Sequence, residues 1–386
     1  MKCYRKAVVL LSLTAATFAG CAKQDAREDR GASTQPTFAA EAQSALNLAE
    51  LMQKHSQAIV KPQPWASNWW PYGSAGIASG GYDPQGMSPA EKYDTAYKVY
   101  YEAHGGNIAA LKSAASWERS LHSPSAFNFE SWFGHCNGWA AAALLVPEPR
   151  ESKTINGVTF AVRDQKALLS ESWLEFSGDF IGTRANDKGD TSSAAFWDIA
   201  PAQFHLILAN IVSRQNKGVV FDRYTGDQVW NQPLVAFRTD PIQREDYLGP
   251  HPQFPEIHRV NVSTTIWWAE DNVHPDAITP EFDIENENVA FFPMRKLRYE
   301  LWLDGPPEFD SLGRLTKSGD ILITSENSRY YGGAWKNGTT TEALLNSHPD
   351  YMWVPLGVQF STGYKNPNID DGWIRDFIGA PGGNSR

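Results

Sequence analysis

Hydrophobic and polar positions divide the chain into unlike stretches. Residues 7–18 are almost uninterruptedly apolar and follow the cations Lys2, Arg5 and Lys6. That run is shorter than the about 20 residues needed to span a bilayer, and small residues separate it from Cys21, so residues 1–20 read as a secretory signal. Phe18-Ala19-Gly20-Cys21 has the form of a lipoprotein processing box, with Phe where Leu is usual. Cleavage would leave lipid on Cys21 and the body exported, anchored to a membrane by that lipid; simple secretion is the alternative. Residues 21–64 are polar and read as a tether. Within it Leu48, Leu51, Met52 and His55 recur at helical spacing, predicting one short helix, taken as part of a spacer rather than a segment docked over the body.

From Trp65 onward the pattern becomes aromatic and globular, and no second polar linker interrupts it, so residues 65–386 are expected to form one enlarged domain or two tightly packed lobes. Ser88-Pro89-Ala90-Glu91 has the form of a capping box with proline at the first helical position, predicting a helix that runs to Ala103 and stops at Gly105-Gly106. Residues 204–212 and 218–224 read as two strands joined by a turn at Arg214-Gln215-Asn216-Lys217. A helix beginning at Pro201, with Phe204, Ile207, Leu208 and Ile211 on one face, is the competing reading; the strand is preferred. Asp283, Glu285 and Glu287 alternate along residues 282–289, which would put three carboxylates on one face of a strand. A solvated acidic edge is the preferred reading there over a cation site.

Composition narrows the partners. The chain carries a formal charge of -10, with both signs scattered along it and no basic stripe, so nucleic acid is not expected. Cysteine usage is more informative. Of the three cysteines, Cys3 would leave with the signal and Cys21 would carry lipid, so Cys136 is expected to be a thiol with no partner to bridge in an oxidising compartment. Such a residue is either a small buried hydrophobe or retained for reactivity.

Its surroundings favour reactivity. Trp132-Phe133-Gly134-His135-Cys136-Asn137-Gly138-Trp139 leads into an alanine-rich run through Leu145, a glycine-rich turn opening a helix. At a helix N-terminus, unpaired N–H groups and the dipole favour a thiolate and can receive an oxyanion; Gly134 and Gly138 would leave room for a substrate backbone. A thiolate nucleophile needs an imidazole and a group to orient it. On the hairpin reading, His205 and Asp222 come together and supply both. His258 with Asp271 is the second pair considered, and His135, next to the nucleophile, is expected to point away. Trp132, Trp139 and Trp230 are candidate apolar walls for a substrate channel, and the Trp132 indole a candidate oxyanion donor. No zinc-finger spacing or EF-hand loop is visible.

These residues resemble the oomycete-type transglutaminase elicitor family, known from Phytophthora and from bacterial exported proteins. Gly134 to Ala140 looks like its nucleophile segment, and the Phe204-His205 to Asp222 region is similar to its histidine region. Val229-Trp230-Asn231-Gln232-Pro233 matches the opening of a surface peptide that in the family lies on a protruding finger; Leu234-Val235-Ala236-Phe237 then departs from it. Weaker echoes lie at 332–335 and 348–353. The resemblance implies an α+β fold with a papain-like core, a helix-borne Cys packed on antiparallel sheet, and a β-rich C-terminal extension. It implies a protein-glutamine gamma-glutamyltransferase, crosslinking glutamine side chains to lysine or other primary amines, and calcium rests on it alone. A papain-like cysteine peptidase and a non-catalytic envelope-binding lipoprotein are the alternatives.

Overall fold

The computed structural model of the chain describes residues 38–80, 86–123, 130–174, 176–182, 199–223, 228–285, 290–323, 333–336, 348–359 and 365–379. The signal, its processing box and Glu287 lie outside the described residues. Among those described, no helix is long and apolar enough to cross a membrane.

Helices are α1 (Phe38–Ala42), α2 (Leu48–His55), α3 (Pro89–Ala103), α4 (Ala114–Leu121), α5 (Cys136–Leu145), α6 (Val162–Ser172) and α7 (Pro201–Leu206), with a C-terminal helix at Asp371–Phe377. The strands are β1 (Gln57–Ile59), β2 (Lys153–Ile155), β3 (Val158–Phe160), β4 (Phe176–Gly182), β5 (Val220–Asp222), β6 (Asn231–Thr239), β7 (Tyr247–Pro250), β8 (His258–Trp268), β9 (Met294–Leu303), β10 (Glu308–Phe309), β11 (Leu315–Lys317), β12 (Gly333–Trp335) and β13 (Tyr351–Gln359). The main sheet runs β12-β9-β8-β6-β5-β13-β4, with β1 added to β6 and β7 to β8. Every pairing in it is antiparallel. Central β6 reads Leu234-Val235-Ala236-Phe237 without alternation because both of its faces are covered, and all four are buried. The mixture of helices and antiparallel sheet agrees with the α+β expectation.

Several local signals held. The Ser88 hydroxyl accepts from Glu91 N, and Glu91 Oε2 accepts from Ser88 N at 2.8 Å. The helix those caps start ends at Ala103, where Gly105 takes φ +79°. The short helix at Leu48 is present as well, but its segment is no spacer. Leu48 and Leu51 are buried, β1 pairs with β6 through Gln57↔Arg238, and Asn47 Nδ2 donates to Ser318 O at 2.9 Å. A few well-placed leucines and one strand register outweigh the polar composition of residues 38–64.

The 204–212 strand is overturned. Pro201 occupies the first turn of α7, Gln203 Oε1 accepts from Ala200 N at 3.0 Å, and the chain continues as a π-helix over Ile207–Arg214. Phe204, Ile207, Leu208 and Ile211, the helical-period set, are all essentially inaccessible. Proline at a helix start and a 3.6-residue apolar period thus override β-branched content.

Candidate active site

Cys136 is the first residue of α5, and His135 is its N-cap. The helix is apolar all round and buried from Cys136 through Leu144, as a helix between layers must be. Its position is fixed by close contacts. A Cβ on Gly138 would stand 2.1 Å from Ser170 O, and one on Gly134 would stand 2.5 Å from Trp69 O. These glycines therefore seat α5 against α6 and the Trp69 backbone, rather than opening room for substrate. Trp139 belongs to the same packing: it is fully buried and its Nε1 donates to Trp65 O at 3.2 Å, which makes it core rather than channel wall. Trp132 is buried too, edge-on to Phe133. Trp230 is half-buried, edge-on to Trp69 and beneath the Arg223 guanidinium.

The sulfur lies 3.9 Å from Val229 O, and Asn231 Nδ2 points at it from 3.9 Å. Asn231 is itself held: its Oδ1 accepts from Trp353 Nε1 at 3.0 Å and from Tyr351 OH at 3.3 Å. The Val229–Pro233 segment, expected as a surface peptide, thus wraps the nucleophile, with Asn231 and Gln232 buried. Asn231 is the site residue that the sequence contained within a motif without revealing its role. On the opposite side of the strand Gln232 Nε2 donates to Asp271 at 2.7 Å. Burial, reinforced by Glu270 beside it, pushes Asp271 up to about 7.

Asp222 stands across from Asn231 in the β5–β6 register, fully buried, and its Oδ1 accepts from Trp230 N at 2.8 Å. His205 is elsewhere. Its Nδ1 bonds Tyr299 OH at 2.8 Å, and among the described residues its Nε2 has no hydrogen-bond partner. Tyr299 OH continues to Thr264 and then to Thr239, the last residue of β6. Thr239 is eight residues from Asn231, about 26 Å of extended strand at about 3.3 Å per residue. The structure therefore does not bring His205 to Asp222 or Cys136. Burial holds the imidazole down at about 4, with no carboxylate opposing it. His258 pairs with Tyr247 OH at 2.7 Å and not with Asp271.

His135 does point away from the sulfur, into a buried ionic cluster. Its Nε2 donates to Glu171 Oε2 at 2.7 Å, its Nδ1 donates to Trp70 O at 3.0 Å, and Glu118 Oε1 lies 3.8 Å from Nε2. Burial alone would lower this imidazole, but the negative charge of Glu118 and the hydrogen bond and charge of Glu171 outweigh it and hold it up at about 10. The same opposition acts on Glu118, where burial is overcome by His122 and His135 and the carboxyl sits at about 2. Tyr72 stacks flat on His122 with ring centroids 3.7 Å apart.

One further expectation changes. Asp283 and Glu285 lie at a bridge and turn rather than along a strand, with Glu285 paired to Arg238 at 3.1 Å. They do not form the one-faced carboxylate row considered for calcium.

Residues 113–248 match the family model described as Transglutaminase elicitor. The chain also superimposes on the crystal structure of the GP42 transglutaminase from Phytophthora sojae, with a TM-score of 0.57 at 19% identity, over 88% of this chain and 94% of that one. At that identity the likeness establishes the shared fold. No curated protein matches the chain. The resemblance read from the sequence is therefore present both in the family model, which takes in Cys136 and Val229–Pro233, and in the fold.

Proposed function

We propose that the chain is a thiol acyltransferase of the transglutaminase type, with Cys136 as nucleophile. The single observation that carries this reading is the sulfur at the first position of α5, faced by the Asn231 amide of the motif that matches the family. Free N–H groups at a helix start favour a thiolate and can receive an oxyanion. In the reaction the Cys136 sulfur attacks a glutamine side-chain carboxamide, a thioester forms, and ammonia leaves with a proton. A primary amine then attacks the thioester, forming an amide and returning the thiol. Asn231, braced by Tyr351 and Trp353, would orient the sulfur; Asp222 braces the turn behind it through the Trp230 N–H. The substrates on this reading are proteins bearing glutamine and lysine, or small primary amines. Export and a lipid on Cys21 belong to the same proposal, and lipid labelling lost in Cys21→Ser tests them.

A second reading is favoured by one observation: Cys136 is fully buried, as in a non-catalytic protein built on this fold. The cover over the sulfur must therefore open before the acyltransferase acts. The test incubates the mature chain with a glutamine-rich acceptor and a fluorescent amine, in calcium and in chelator, beside Cys136→Ala. Amine incorporation, abolished in the variant, is the expected result. Cleavage of the acceptor would favour a peptidase. No incorporation while iodoacetamide alkylates Cys136 would leave the non-catalytic reading.

A further inference from the structure

We infer that Glu118, His122 and His135 form a binding site for a divalent transition-metal cation of the zinc class, buried behind the start of α5. Each of the three offers one ligand atom, and these atoms lie within 4.8 Å of one another. The donors come from two chain segments. Glu118 and His122 stand four residues apart at the end of α4, so they share a helix face, while His135 is the N-cap of α5. Glu171 Oε2 of α6 lies 2.7 Å from His135 Nε2, beside the three donors.

Three features suit a cation better than a packing accident. Glu118 Oε1 is buried, has no hydrogen-bond partner among the described residues, and lies 3.8 Å from His135 Nε2. An orphaned carboxylate oxygen in a dry interior is costly, and a cation there would satisfy it. His135 Nδ1 is committed to Trp70 O, which leaves Nε2 as the nitrogen aimed at the site, the arrangement that orients metal-bound imidazoles. Gly76 leaves the ring its place, because a Cβ there would stand 2.7 Å from His135 Cε1.

The donor set selects the class of ion. Two imidazole nitrogens with carboxylate oxygen suit zinc, cobalt or nickel, whereas calcium takes six to eight oxygens. On binding, the cation replaces the hydrogen bonds that now hold the cluster: His135 Nε2 gives its proton to solvent and its lone pair to the metal. Two carboxylates then balance the double positive charge. A loaded site would tie the end of α4 to the residue before Cys136, and it includes no sulfur, so it stands or falls apart from the acyltransferase reading.

The test uses the full chain, stripped with chelator, loaded with Zn2+ and dialysed. Wild type and Cys136→Ala should each retain about one zinc, with the thermal midpoint raised by Zn2+ and not by Ca2+. Glu118→Gln and His122→Gln should retain it more than about tenfold more weakly. Should those variants fail to fold, wild type decides: Co2+ should give the intense visible absorption of a four- or five-coordinate site and release about one proton per ion. Absence of retained zinc in folded wild type, equal retention by a folded variant, or a weak six-coordinate cobalt spectrum would overturn the site.

Discussion

Two buried histidines of this chain live in opposite electrostatic worlds. His135 and His205 are both nearly inaccessible, at 0% and 3% exposure. Yet the first is held at about 10 and the second at about 4. Burial pushes both in the same direction, so burial cannot be what separates them. The difference is the carboxylates. Glu118 and Glu171 converge on His135 from α4 and α6, whereas among the described residues His205 is hydrogen-bonded to the Tyr299 hydroxyl alone. A desolvated imidazole is charged when a fold supplies anions and neutral when it supplies a hydroxyl.

The harshest way to break that comparison is Glu171→Gln. It leaves an imidazolium buried with a single carboxylate at 3.8 Å, and removing one partner from a buried ion pair costs about 3–5 kcal/mol. Denaturant unfolding measures the loss. Its pH dependence sharpens the claim. The folded value of His135 lies above the unfolded one, so the stability it contributes is complete below about pH 6.5 and is lost as pH rises towards 10. The deficit of Glu171→Gln should therefore shrink on the alkaline side. A deficit identical at pH 6 and pH 10 would mean that His135 is not held as an imidazolium.

Gly76→Ala probes the same histidine from its other side. The substitution forces a side chain onto a residue at φ +51° and sets a Cβ 2.7 Å from the imidazole and 3.3 Å from Glu118 Oε2. A loss of about 2 kcal/mol is expected, from backbone strain and the displaced ring together. Unfolding midpoints within experimental error of wild type would show that the cluster is loose enough to yield.

What the sequence made legible follows the range of the interactions. The Ser88 capping box, the α5 start at Cys136 and the Leu48 helix are encoded within a few residues, and each was readable. The failures were long-range. A hairpin turn at residues 214–217 would bring His205 and Asp222 together, but the first arm folds as helix and places His205 against Tyr299, 94 residues away. Trp139 looked like a channel wall because a tryptophan beside a nucleophile is suggestive, while only the α5 packing reveals it as core. Asn231 sat inside a recognised motif, yet nothing local tells that its amide reaches Cys136 across 95 residues. The Glu118/His122 pair had a readable four-residue spacing, but its meaning waits on His135 and Glu171 arriving from other helices.

The gentlest test concerns His205 itself. Its folded value lies below the unfolded one, so its contribution is complete above about pH 6.5 and is lost as pH falls towards 4. His205→Leu removes both the titration and the bond to Tyr299, whose hydroxyl keeps Thr264 at 2.7 Å. At neutral pH the substitution should cost about 1 kcal/mol, one hydrogen bond with its partner otherwise satisfied. As pH falls through 6 to 4, wild type must bury a charge or unfold to protonate, and leucine need do neither. The variant should therefore close the gap and then exceed wild type in thermal midpoint on the acid side. If wild type and His205→Leu lose stability in parallel from pH 7 to pH 4, the imidazole is not held neutral by burial. The contrast with His135 would then rest on one residue rather than two.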